Sequence, residues 1–265
     1  IAMTSSFHGR TIGALSVGSN KKYKTDIGPV PGKVKFCKFN DVSHLKKLVN
    51  KKTIAIIIEF VQGDGGINIC SKSFARAIKE ICKSKKILLI GDEIQGGIGR
   101  TGKIFAYKHY GVNPDIITSA KGLGSGIPIG ATIVKKYISK MISTGFHGST
   151  FGGGMLQTRV SYNVLKSINT KAFLNKVQIN GKFLSKLLKK MHNDHKDKIV
   201  DTRCLGLMAG IEFKTNEIAS KTYTKMANNG LITTLIQGNI IRITPPLIIN
   251  KKELNNGLDI ISKSL

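Results

Sequence analysis

The sequence predicts an α/β fold: a mostly parallel sheet with helices on both faces, followed by a smaller α+β domain. Three observations carry that expectation. Short apolar runs at Ile54–Phe60, Ile87–Gly91 and Ile116–Ser119 are too brief for helices and are bounded by turn formers, as buried parallel strands are. Between the first two, residues 73–86 place Phe74, Ala77, Ile78 and Ile81 on one face and lysines on the other. That is an amphipathic helix, and it closes a right-handed βαβ unit. From Met155 to Asn193 the pattern turns helical, then breaks into apolar runs at 205–213 and 240–243 separated by another helix. The expected division is residues 1–160 and 161–265.

Taken in order, residues 1–10 (IAMTSSFHGR) start partway through a fold. Residues 18–33, rich in Gly, Pro and Lys, read as a surface loop. Residues 41–50 form a short helix capped by Asp41, with Val42, Leu45, Leu48 and Val49 apolar. Ile129–Val134 makes a further strand. In the helical region, Val160, Val164, Leu165 and Ile168 are followed by Phe173, Val177, Phe183, Leu184, Leu187 and Leu188.

Composition narrows the function. The chain has 265 residues, 41% of them hydrophobic, enough for one sizeable core and a second domain. No apolar run approaches the roughly 18 residues of a membrane span. The net charge of +27 invites a nucleic-acid partner. Yet only six of the 42 basic residues are Arg, and the lysines are scattered along the chain. Phosphate and base readers favour the planar fork of arginine, so no nucleic-acid partner is expected. Cys37, Cys70, Cys82 and Cys204 stand far apart without a CxxC pair, as thiols of a cytoplasmic protein do. His192 and His195 lie in a polar stretch and read as a solvated helix end; no metal site is expected.

The chemistry concentrates between Leu88 and Gly130. One strand ends at Asp92, the next just before Lys121. Ligands of open α/β sheets sit beyond the carboxyl ends of strands, so the two side chains converge on one crevice. A lysine amine can condense with an aldehyde cofactor, and an aspartate can hold a protonated pyridine nitrogen. Together they are the protein side of pyridoxal phosphate chemistry.

DEIQGGIGRTGK (92–103) and SAKGLGSGIPIG (119–130) resemble the class III (subgroup II) pyridoxal-phosphate-dependent aminotransferases, most of all the acetylornithine enzymes. The resemblance covers essentially the whole chain, as the last two-thirds of such a protein with its N-terminal third absent. It implies the type I fold of pyridoxal-phosphate transferases. Lys121 is then the catalytic residue and covalent anchor. Asp92 serves the ring nitrogen, Gln95 the ring hydroxyl and Phe7, of FHGR, a ring face. Thr150, in HGSTFGGG, reaches the cofactor phosphate of the partner subunit of a homodimer. Arg10 and Arg242 bind substrate carboxylates, and Glu59 and Asp64 support them. In the related ornithine enzymes a glutamate at position 64 pairs with a C-terminal arginine and releases it for the second substrate; here the residue is one methylene shorter. Gly154-Met155 replaces the family's Asn-Pro at a helix start. The expected reaction moves the δ-amino group of N-acetylornithine to 2-oxoglutarate, a step of arginine biosynthesis. Ornithine, succinyl-diaminopimelate or 4-aminobutyrate as donor, or an inactive truncated remnant, are the alternatives.

Overall fold

The computed structural model describes residues 1–25 and 27–265. In chain order the elements are β1 (Ala2–Met3), α1 (Ile12–Val17), β2 (Phe36–Cys37), α2 (Val42–Leu48), β3 (Ala55–Ile58), β4 (Val61–Gln62), β5 (Asn68–Ile69), α3 (Lys72–Lys85), β6 (Leu88–Asp92), β7 (Ile116–Ser119), β8 (Ala131–Val134) and α4 (Lys136–Ser139). There follow α5 (Met155–Ile168), α6 (Lys171–Asp194), β9 (Ile199–Leu205), β10 (Met208–Phe213), α7 (Asn216–Asn228), β11 (Thr234–Ile236), β12 (Ile240–Ile243) and α8 (Lys251–Ser264).

The first sheet has the order β3-β6-β7-β8. Its first three strands are parallel, and β8 runs antiparallel at the edge. Helix α3 makes the crossover from β3 to β6. It starts where the Ser71 hydroxyl accepts from the Phe74 N–H at 3.1 Å, and it stops at Lys86, which turns left-handed at φ 54°. Its buried face is Phe74, Ala75, Ala77, Ile78 and Cys82. Each large apolar side chain on that face contributes about 1.5–3 kcal/mol. Ile81, expected inward, is only half-buried.

The second sheet, β11-β12-β10-β9, is antiparallel. Strand β9 has no strand signature in sequence, because IVDTRCL lacks the period-2 alternation and carries the polar run Asp201-Thr202-Arg203, with two charges, at its centre. Helix α8 opens on a capping box between Asn250 and Glu253. The Asp41 cap holds, with its carboxylate accepting from His44 N at 2.7 Å. Helix α5 starts on Gly154 with no side-chain cap. Within the expected loop at 18–33, Lys21–Tyr23 forms a 3₁₀ turn; Asp26 lies outside the described residues. His192 and His195 fall at the end of α6.

One hydrophobic cluster packs around Phe60 and Phe74, a second around Leu184 and Phe213. Val61, Ile67 and Met208 form a third where the β4–β5 hairpin meets the second sheet. That hairpin is one of the links between the two sheets at the site. Among the described residues no helix is long and apolar enough to cross a membrane.

Candidate active site

The parallel strands β3, β6 and β7 end side by side, and the chain places an ionisable group at each end: Glu59 just after β3, Asp92 closing β6, Lys121 two residues after β7. Asp92 is nearly buried. Its Oδ1 accepts from Ile94 N at 3.0 Å, and its Oδ2 lies 2.7 Å from His8 Nδ1. Facing a carboxylate oxygen, Nδ1 is the ring nitrogen placed to donate in that contact. The other nitrogen, Nε2, is buried with no partner among the described residues.

Glu59, 3% exposed, accepts from Phe7 N at 2.9 Å and Gly63 N at 3.2 Å, which fixes the FHGR segment against the sheet. Burial pushes its carboxyl up to about 7; nearby His8 and the two N–H groups pull the other way.

Lys121 sits at φ 47°, a left-handed conformation that costs a non-glycine residue roughly 1–2 kcal/mol. The residue is exposed, and its amine has no hydrogen-bond or ion-pair partner among the described residues. Desolvation by the surrounding protein still lowers its pKa, Asp64 opposes that, and Arg242 adds to it. Lys121, Gln95 and Arg242 line a cavity of about 940 Å³ together with Arg100, Asn163 and Ser167.

Arg242, on β12, donates through one NH1 to Asp64 Oδ1 at 2.9 Å and to Gln95 Oε1 at 3.3 Å. Gln95 Nε2 donates to Asp64 Oδ2 at 2.9 Å. The aspartate therefore reaches the arginine despite its shorter side chain. The turn that carries it is pressed tightly against its surroundings, for a Cβ on Gly63 would overlap the Gln95 amide. Arg242 Nε is buried and unpartnered among the described residues. Arg100 NH1 donates to the carbonyls of Leu207 (3.1 Å) and Pro245 (2.5 Å), and burial lowers its pKa to about 10.

Not every expected residue joins this group. Gln95, Lys121 and Arg242 line the cavity, with Asp64 behind them by hydrogen bond. Phe7, Glu59 and Asp92 form the adjoining cluster at the strand ends. Arg10 is exposed, its guanidinium 4.4 Å above the Tyr23 ring, and Phe7 meets the same ring edge-on at 5.9 Å. Thr150 is exposed in the loop before α5. His8, Tyr23 and Arg203 were not singled out from sequence. His8 had one signal, its place inside FHGR; the other two had none.

The sequence profile of the family described as "Aminotransferase class-III" matches residues 1–265. The chain is 39% identical to the mitochondrial acetylornithine aminotransferase of Debaryomyces hansenii, covering 100% of this chain and 58% of that protein. It is 39% identical to the acetylornithine aminotransferase of Methanocaldococcus jannaschii, covering 98% of this chain and 65% of that one. It is 40% identical to ornithine aminotransferase 1 of Staphylococcus saprophyticus, covering 100% and 66%. The chain thus spans 58–66% of the length of these curated relatives. Among solved structures, the ornithine aminotransferase of Toxoplasma gondii, with pyridoxal phosphate partly occupying its active site, superposes with a TM-score of 0.93 at 29% identity over 99% of this chain and 62% of that one.

Proposed function

The chain belongs to the class III aminotransferases, and from that premise we propose that it is the body of an enzyme that moves the δ-amino group of N-acetylornithine to 2-oxoglutarate. The observation that carries the reading is the unpartnered Lys121 amine at the end of a parallel strand, sharing its cavity with Gln95 and Arg242 while Asp92 closes the neighbouring strand. The cofactor of the family is pyridoxal phosphate. The residues present fit it: a free amine, a buried carboxylate oriented by His8, and buried polar atoms without partners at His8 Nε2, Ser119 Oγ and Arg242 Nε among the described residues. When bound, the cofactor supplies an aldehyde carbon that takes up the amino group and an electron-poor ring that draws electrons from the adjacent C–H bond.

The protein's own groups do the rest. Lys121 would hold the cofactor through its amine, and with that amine free, Nζ would accept the proton from the substrate carbon that bears the amino group. Its lowered pKa enlarges the neutral fraction available as a base. Asp92, fixed by His8 and Ile94, would keep a proton on the ring nitrogen. Gln95 would serve the ring hydroxyl, and Phe7 would cover one face. Arg242 binds the α-carboxylate of glutamate and 2-oxoglutarate, and Asp64 holds that arginine until the oxo acid arrives. Arg10 takes the distal carboxylate of acetylornithine.

Thr150 of the partner subunit is proposed to contact the cofactor phosphate across a homodimer. Exposed apolar side chains around it support that assembly: Phe151 is 83% exposed and Met155 90%. The two main hydrophobic clusters support a division near residue 160, inside α5. The site is expected to work on small-molecule amino acids and oxo acids in the cytoplasm. The test of substrate is a side-by-side comparison of kcat/KM. Acetylornithine should exceed ornithine, succinyl-diaminopimelate and 4-aminobutyrate; preference for another donor overturns the substrate while leaving the transamination chemistry in place.

A further inference from the structure

We propose that Arg203 is a positioning residue that holds the turn at residues 63–66 on the second sheet, so that Asp64 stands against Arg242. The proposal rests on reading Arg242 as the carboxylate-binding arginine. In the sheet register Arg203 on β9, Gly210 on β10 and Arg242 on β12 lie in one row. Residues paired across a sheet project to the same face. Two arginines therefore flank a glycine, and the β4–β5 hairpin settles into the gap.

The middle of the row receives Ile67. A Cβ on Gly210 would stand 3.1 Å from Ile67 Cγ1, tighter than ordinary packing. Ile67 is fully buried at φ 55°, a conformation a β-branched residue adopts only where its surroundings impose it. One end of the row imposes it. Arg203 NH1 donates to Gly66 O at 2.6 Å and to Asn68 Oδ1 at 2.8 Å, and Asn68 Nδ2 in turn donates to Gly65 O at 2.8 Å. Arg203 Nε is 2.8 Å from Asp201 Oδ2, and its other terminal nitrogen pairs with Glu212. The guanidinium uses all three nitrogens, one group facing the turn and two facing carboxylates of its own sheet. A lysine has no fork with which to do this. At the other end Arg242 meets Asp64 at 2.9 Å, and Gln237 Nε2 donates to the Asp64 carbonyl at 2.6 Å. Arg203 never touches the cavity. It sets how firmly Asp64 competes with an incoming carboxylate for Arg242.

The sign follows. Loosening the turn weakens the competitor, so a dicarboxylate should bind more tightly, whereas general damage to the fold weakens binding. Glutarate, an unreactive dicarboxylate, is the probe, titrated calorimetrically into the protein loaded with pyridoxal phosphate. Arg203→Met is expected to tighten glutarate binding about two- to fivefold, the scale of a partly exposed charge pair. Asp64→Asn should do the same, and the double variant should gain nothing over Asp64→Asn alone, because both changes act on one interaction. Arg203→Lys should fall between wild type and Arg203→Met. If Arg203→Met does not fold, Gly210→Ala presses on Ile67 from the middle of the row and should also tighten binding. Unchanged or weakened glutarate affinity in the folded variant, or gains that add fully with Asp64→Asn, overturns the proposal. Arg242→Ala tests the underlying reading separately. It should abolish most glutarate binding, and unchanged binding there removes the reading and the proposal with it.

Discussion

His8 Nδ1 and Asp92 Oδ2 lie 2.7 Å apart, 84 positions apart in sequence and almost wholly shielded from water. With the Ile94 N–H on the other oxygen, the contact leaves the Asp92 carboxylate little freedom to rotate. A buried hydrogen bond to a charged group is worth about 1.5–3 kcal/mol. His8→Ala should therefore slow the first half-reaction roughly 10- to 100-fold, read by stopped-flow absorbance. A rate equal to wild type would separate His8 from the function of Asp92.

Asp92→Asn removes the charge and keeps the shape. Without a carboxylate beside it the ring nitrogen loses its proton, and the electron sink weakens. The account expects the half-reaction to slow at least roughly 100-fold, while Lys121 still takes up the cofactor. Activity within about tenfold of wild type would count against the role given to Asp92.

Much of this site was legible because local pattern and chemistry coincide. Strand-sized apolar runs ended on Asp92 and near Lys121, and the crossover helix between β3 and β6 was visible as a lysine-backed apolar stripe. What stayed hidden depends on tertiary distance. His8 meets Asp92, and Arg203 meets Gly66, only because separate elements pack together, and no periodicity marks either pair. Strand β9 was invisible for a related reason: Asp201 and Arg203, which make it look like a loop, are the residues that face the hairpin turn and Glu212. The acid at position 64 is one methylene shorter than the glutamate of the ornithine enzymes, and only the folded chain shows that it meets Arg242, at 2.9 Å.

The two carboxylate-binding arginines should fail differently. Arg242→Ala leaves Asp64 without its cation and should cost about 2–4 kcal/mol in kcat/KM for 2-oxoglutarate. Arg10→Ala should raise KM for acetylornithine and spare the oxo acid half-reaction, because Arg10 stacks on half-buried Tyr23 and shares no hydrogen bond with the Asp64–Arg242 pair among the described residues. Equal losses in both half-reactions from Arg10→Ala would contradict the assignment.

Glu93 links pH to stability. It is fully buried, accepts from Ala106 N at 2.7 Å and Tyr107 N at 2.8 Å, and burial raises its carboxyl from 4.5 to about 7. A raised folded-state pKa means that the folded protein binds the extra proton between those values. The contribution is complete below pH 4.5 and lost as pH rises through about 7, on the order of 1–3 kcal/mol. Glu93→Gln cannot titrate. Urea midpoints measured from pH 5 to 8 should show the wild-type advantage over Glu93→Gln shrinking as pH rises; parallel curves would contradict this.

The central claim is that Lys121 carries the cofactor, and reduction tests it most directly. The protein loaded with pyridoxal phosphate is treated with borohydride, digested and examined by mass spectrometry. The account predicts one phosphopyridoxyl group, on Lys121, and none on the Lys121→Ala variant. Stoichiometric label on any other lysine, or a variant that labels as fully as wild type, would contradict it.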